Sequence, residues 1–235
     1  MSIKAILFDL DGTLLPMDQD AFTKDYFGRL AAWMAPRGYE PNKLIDAVWT
    51  GSVAMTKNDG TVTNEERFWQ AFANVFGEQV RAEEPYLERF YIEQFDEVSD
   101  SCGNDPDAAI AVAALKADGY RLALATNPLF PSIATYKRAA WAGLDVADFE
   151  VITTYENSRY CKPSLEYYKG IADALGVDPT ECLMVGNDVG EDMEARRLGM
   201  KVFLIPACLI NRKDEDLSQY PSGDFADLVN YVRSL

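Results

Sequence analysis

Residues 3–8 form a short apolar run that breaks off abruptly at Asp9-Leu10-Asp11-Gly12-Thr13. An apolar stretch without polar alternation is the signature of a strand buried on both faces of a parallel sheet. Such a strand limits the fold to an α/β core, and its polar end sets two carboxylates at one edge of that core. Ligands bind in such sheets at the carboxyl ends of the strands.

The rest of the chain divides into two patterns. From about Asp18 to Asp96 the apolar positions recur at helical spacing: Phe22, Tyr26, Leu30 and Trp33, then Leu44 and Val48, then Phe68, Phe72 and Phe76, then Tyr86, Phe90 and Phe95. Gly38, Gly51, Asn58-Asp59-Gly60 and Gly77 punctuate these stretches. About four helices and no strand are expected there. After Cys102 strands and helices alternate. Helices are expected over about 106–116, 131–142, 164–175, 192–198 and 224–233, and strands over 121–125, 149–153, 183–185 and 201–205. The fold class is therefore α/β, a Rossmann-like parallel sheet core flanked by helices, with an inserted all-helical domain. Residues 1–16 and 100–235 are expected to form the core and 17–99 the insert, with linkers at Leu14–Asp18 and Ser99–Asp105.

Composition excludes several chemistries. The 235 residues contain no histidine, and the four cysteines (Cys102, Cys161, Cys182 and Cys208) include no Cys-x-x-Cys pair. The usual zinc spacings and the Ser-His-Asp and Cys-His nucleophile systems are therefore absent. Widely spaced thiols fit buried, reduced residues better than a disulfide framework. Apolar residues make up 48% and charged residues 26%, the balance of a globular chain. The apolar N-terminal run is too short for a signal peptide, and no stretch reaches the ~20 residues of a membrane span. The expected location is cytoplasmic. With 38 acidic against 22 basic residues the net charge is −16, which disfavours nucleic acid and anionic membranes. An anionic ligand would need a local pocket of cation, lysine and backbone N–H groups.

The polar groups at the expected strand ends supply one. Asp9 and Asp11 lie two apart in extended chain and point to the same side. A carboxylate can displace an alcohol from phosphorus to form an aspartyl-phosphate. The second carboxylate can protonate the leaving alcohol and later deprotonate water. Without histidine, Asp11 is the candidate for that work, and Gly12 lets the backbone turn over the phosphate. Thr126, ending the strand 122–125, offers a hydroxyl for a phosphoryl oxygen beside the Asn127 N–H. Lys162, just before a helix, can neutralise charge on nucleophile and phosphoryl group. Gly186-Asn187-Asp188-Val189-Gly190-Glu191-Asp192 follows the strand 183–185. Magnesium takes oxygen ligands, commonly one or two carboxylates plus water and substrate phosphate. Asp9 with Asp188 or Asn187 meets that need, and Asp192 can orient a ligand or Lys162. Singly, each of these reads as a turn, a helix cap or a solvated charge; their shared edge makes the case.

Asp9-Leu10-Asp11-Gly12-Thr13, Thr126-Asn127, Lys162-Pro163 and Gly186-Asn187-Asp188…Asp192 resemble the four ordered motifs of the haloacid dehalogenase (HAD) superfamily. The resemblance spans the core. It implies Asp9 as nucleophile and metal ligand, and Asp11 as acid/base through its side chain and metal ligand through its carbonyl. It implies Thr126 and Lys162 as phosphoryl-binding groups and Mg2+ as cofactor. The helical insert is similar to that family's small helical (C1-type) cap. One departure stands out: Asn187 follows the motif glycine where many members have Asp, so Asn187 and Asp188 both remain candidate ligands. The expected activity is magnesium-dependent hydrolysis of phosphate monoesters of small metabolites. A phosphomutase, a haloacid dehalogenase and a catalytically silent binding protein are the alternatives. Tyr26, Trp49, Trp69 and the Asn58-Asp59-Gly60 turn are candidates to line the entrance. The pattern does not distinguish monomer from homodimer.

Overall fold

The computed structural model describes residues 2–235. Five parallel strands form the sheet: β1 (Ala5–Phe8), β2 (Arg121–Leu124), β3 (Val151–Ile152), β4 (Cys182–Gly186) and β5 (Lys201–Leu204). Their order is β3-β2-β1-β4-β5. The chain thus builds outward from β1 on one side, then crosses back and builds outward on the other. That reversal places a crevice at the carboxyl end of β1, the topological switch point.

β1 is fully buried, as its composition requires, and its alternate residues serve two cores. Ile6 and Phe8 pack with α5 (Pro106–Ala117), α6 (Ser132–Trp141) and α8 (Phe225–Arg233). Ala5 and Leu7 pack on the opposite face with Tyr168, Ile171 and Leu175 of α7 (Leu165–Leu175).

Between β1 and β2 run α1 (Gln19–Met34), α2 (Pro41–Thr56), α3 (Asn64–Phe76) and α4 (Glu84–Glu93). Their starts are written locally. Asp18 accepts from the Asp20 and Ala21 N–H groups, Glu40 from Asn42 and Lys43, and Thr63 from Glu66; each satisfies backbone donors the helix leaves open. Aromatic rings fill the space between helices: Tyr26 contacts Phe90, Phe95 and Phe130 at centroid distances of 6.1, 6.0 and 5.3 Å. The two connecting segments lie side by side. Met17 and Cys102 form an antiparallel bridge, and the Gly103 N–H donates to Pro16 C=O at 2.7 Å.

Three elements differ from expectation. β3 is only two residues long, because Phe149 closes a 3-10 turn by donating to Val146 C=O. Residues Asp192–Leu198 form a 3-10 helix rather than an α-helix, fitted between the acidic loop and the left-handed Gly199. The segment expected as linker from Ser99 is partly ordered, as the end of a 3-10 helix over Phe95–Ser101. Among the described residues, no helix is long and apolar enough to cross a membrane.

Candidate active site

The site is assembled at the carboxyl edge of the sheet. Asp9 follows β1 directly, and its N–H still donates to Val185 C=O of β4 at 2.9 Å. Its Oδ1 accepts from Lys162 Nζ at 2.7 Å and its Oδ2 from Thr13 Oγ1 at 2.9 Å. Lys162 also donates to Asp192 Oδ1 at 2.6 Å, and all three side chains are buried. Burial opposes the lysine charge, but the Asp192 and Asp9 carboxylates more than offset it and hold the ammonium well above the usual lysine range. Gly186 makes this approach possible, since a Cβ there would overlap the Asp192 carboxylate.

Asp11 pairs with Arg138 of α6 through Oδ2, and Thr126 Oγ1 lies 3.5 Å from the same oxygen. Its Oδ1 is buried with no hydrogen-bond partner among the described residues. Burial pushes its pKa up, against the pull of the Arg138 guanidinium. A carboxyl with a raised pKa next to an ionised one suits proton transfer. Gly12 turns the chain directly after Asp11 at φ +88°, and a side chain there would overlap Asn187.

The remaining groups close the ring. Asn127 spans two elements, accepting from the Lys162 N–H at 3.3 Å and donating to Glu191 Oε2 at 3.1 Å. Asn187 donates to Cys208 C=O at 2.6 Å, and its Oδ1 lies 3.1 Å from the Thr13 hydroxyl. Asp188 accepts from the Gly190 and Glu191 N–H groups through Oδ1 and from Arg212 at 2.7 Å through Oδ2. Asp9, Asp11, Thr126, Asn127, Asn187, Asp188 and Asp192 all line one cavity of about 540 Å³. Lys162 joins them through Asp9. Every residue singled out at the strand ends is thus brought together.

Among the described residues no three acidic, histidine or cysteine side chains form a metal cluster. The donor set fits an open magnesium site instead, which takes only one or two carboxylates. Asp9 Oδ2 and Asn187 Oδ1 both face one Thr13 hydroxyl, whose single proton satisfies only one of them. With the orphaned Asp11 Oδ1, oxygen acceptors exceed donors here, as a hard cation requires.

Sequence reasoning missed Arg138, Arg212 and Thr13. Arg138 was open to detection, because it falls in the stripe Ala134, Thr135, Arg138, Ala139 that forms the buried face of α6. Its guanidinium also lies 4.4 Å from the Phe130 ring centroid. Tyr26, Trp49 and Trp69 do line the cavity. The Asn58-Asp59-Gly60 turn is not among the lining residues. It docks on the loop after β3 instead, where Arg159 donates to Gly60 C=O at 3.2 Å and Tyr160 to Asp59 C=O at 3.3 Å.

Comparison with known proteins points to the same family. The family model described as haloacid dehalogenase-like hydrolase matches residues 3–198. The chain belongs to the haloacid dehalogenase-like hydrolases. Among curated HAD relatives, "Putative phosphatase YhcW" of Bacillus subtilis is 27% identical and covers 99% of each chain. Protein CbbY of Rhodobacter capsulatus is 26% identical, over 95% of this chain and 89% of its own. The fold is shared with a HAD phosphatase from Thermococcus onnurineus (TM-score 0.61, 21% identity, 98% of both chains). It is shared too with the L-2-haloacid dehalogenase of Xanthobacter autotrophicus carrying covalently bound chloropropionic acid (TM-score 0.59, 18% identity, 99% of both chains). The chain is a HAD hydrolase of the phosphatase type.

Proposed function

We propose that this HAD hydrolase cleaves phosphate monoesters of small metabolites through an aspartyl-phosphate on Asp9, with Mg2+ as cofactor. The observation that carries this reading is the pair of unlike carboxylates just before Gly12. Asp9 is held against the Lys162 ammonium, whereas Asp11 is held toward its protonated form by burial.

In the first step Asp9 Oδ forms a bond to phosphorus as the ester P–O bond breaks, and the leaving alkoxide takes the Asp11 proton. In the second, water attacks the phosphorus, Asp11 accepts its proton, and inorganic phosphate leaves as Asp9 is regenerated. Lys162 neutralises charge on nucleophile and phosphoryl oxygens while Asp192 fixes its position. The Thr126 hydroxyl and Asn127 N–H bind further phosphoryl oxygens. Asp9, the Asp11 carbonyl, and Asn187 or Asp188 would hold the magnesium ion, which supplies charge neutralisation for the phosphoryl group. Asp188 already has both oxygens engaged by protein groups, which favours Asn187 as the direct ligand.

Asp11 also separates this reading from dehalogenation. Displacing a halide from carbon needs no proton for the leaving group, so a buried, proton-holding carboxyl would be idle. Residues 17–99 are read as a helical cap over the site and 1–16 with 100–235 as the core. The two segments bridged at Met17 and Cys102 would serve as the hinge.

Asp9→Ala and Asp9→Asn, with folding checked by circular dichroism, are expected to lower magnesium-dependent phosphate release from aryl phosphates by a factor of about 10³ or more. A folded Asp9→Ala protein with near-native release would refute the assignment. Isomerised phosphosugar with little free phosphate would replace hydrolase by phosphomutase.

A further inference from the structure

The cavity extends beyond the polar groups at the strand ends. Its other end is walled by helices of the 17–99 segment and by the loop after β3, and two features there coincide.

The first is charge. Glu65, Glu84, Glu88 and Glu156 all line the cavity. Among the described residues none of the four forms an ion pair with a lysine or arginine. The only basic side chain on the cavity wall among the described residues is Arg212, and it is held by Asp188. Glu65 lies close enough to Glu156 and Glu84 that, after burial, their charges are the main causes raising its pKa.

The second is aromatic surface. Tyr26, Tyr91, Tyr155 and Trp69 line the same end. The Tyr26 and Tyr91 hydroxyls bond each other at 2.8 Å, and the Tyr26 ring is packed against Phe22, Phe90, Phe95 and Phe130. Tyr155 sits among Tyr91, Glu65, Glu156 and Glu84, whose charges add to burial in raising its pKa.

Two buried polar atoms at this end also lack partners. Glu156 uses Oε1 to accept from the Ser132 N–H at 2.8 Å, but its Oε2 has no donor. Trp69 is 4% exposed, and its indole N–H has no acceptor. A carboxylate oxygen calls for a donor and an indole N–H for an acceptor. A group that carries an ammonium and a nearby oxygen supplies both.

Carboxylates framed by aromatic faces form the environment that attracts organic cations and repels anions. We infer that the leaving group of the substrate is a cationic, amine-bearing alcohol or phenol, recognised by Glu65, Glu84 and Glu156 beside Tyr91 and Tyr155. This rests on the phosphatase reading for the phosphoryl end and adds the chemistry of the other end. A phosphorylated carboxylic acid would set its second anion against these four glutamates.

The test uses three aryl phosphates of similar shape: 4-(aminomethyl)phenyl, phenyl and 4-(carboxymethyl)phenyl phosphate. With the full chain and Mg2+, kcat/KM is expected to fall in that order, the first exceeding the last by about tenfold or more, the equivalent of ~1.4 kcal/mol. Glu65→Gln and Glu84→Gln are each expected to move that ratio toward one. Equal or better turnover of the carboxymethyl compound overturns the inference. Calorimetric binding of the phosphate-free phenols separates the two claims. If 4-(aminomethyl)phenol binds more tightly than 4-hydroxyphenylacetate while no ester releases phosphate, the phosphatase reading fails and the cation site stands. If the two phenols bind equally, or neither binds, the cation site fails whatever the esters do.

Discussion

Arg138 shows how one side chain can set the state of a site. It is fully buried on α6, and its guanidinium meets Asp11 on one side and the Phe130 ring on the other. A buried charge is costly unless paired, and so is the carboxylate left when its partner is removed. Arg138→Met is therefore expected to cost about 3–5 kcal/mol of unfolding free energy in urea titrations and to lower kcat, with Arg138→Lys recovering part of each. A change below about 1 kcal/mol would mean that Asp11 does not depend on this partner. The cysteines give a second check at this scale. Cys161 and Cys182 are buried, and burial pushes each thiol up to about 12. Thiolate is the reactive form, so both are expected to resist a disulfide reagent at pH 8 in the native protein and to react fully on unfolding. Labelling of either one at native rates would contradict their placement.

At the scale of elements, much of the site was legible because strand ends announce themselves. The apolar run of β1 and the stretches ending at Ala125 and Val185 fixed where polar residues would meet, whichever helices lay between. Arg138 and Arg212 were harder to see. The stripe of α6 marks Arg138 as buried but not its Asp11 partner, and Arg212 reaches the site from a late loop that local periodicity does not encode. The docking of the Asn58-Asp59-Gly60 turn was hidden for a similar reason, since a turn signal says nothing about what the turn lies against. Asn64, at the start of α3, makes that docking specific. Its fully buried amide donates to Pro128 C=O at 3.2 Å and to Cys161 Sγ at 3.3 Å, and accepts from Asn58 Nδ2 at 2.9 Å. Asn64→Ala leaves Asn58 Nδ2 with only its bond to Val62 C=O and takes the Asn64 donor from Pro128 C=O. The expected cost is about 1–3 kcal/mol, with KM raised more than kcat is lowered, because α3 carries Glu65 and Trp69. Unchanged stability and KM would show that α3 is placed by its apolar face alone.

For the molecule as a whole, the net charge of −16 opposes the approach of any phosphate ester. Lys162, and the cation proposed for this site, would offset that repulsion only at contact. Long-range repulsion between like charges is screened as ionic strength rises. The kcat/KM for phenyl phosphate is therefore expected to increase between low and physiological salt; a decrease would indicate a steering basic surface that the charge distribution does not show. Fold and charge together concentrate the polar groups at one crevice, where the proposed nucleophile is an Asp9 oxygen. Acid quenching during turnover, followed by mass spectrometry of peptides, tests this most directly. The account predicts one phosphoryl group on the peptide containing Asp9 and none in Asp9→Asn protein. Phosphate release with no labelled peptide, or a label on a different residue, would contradict it.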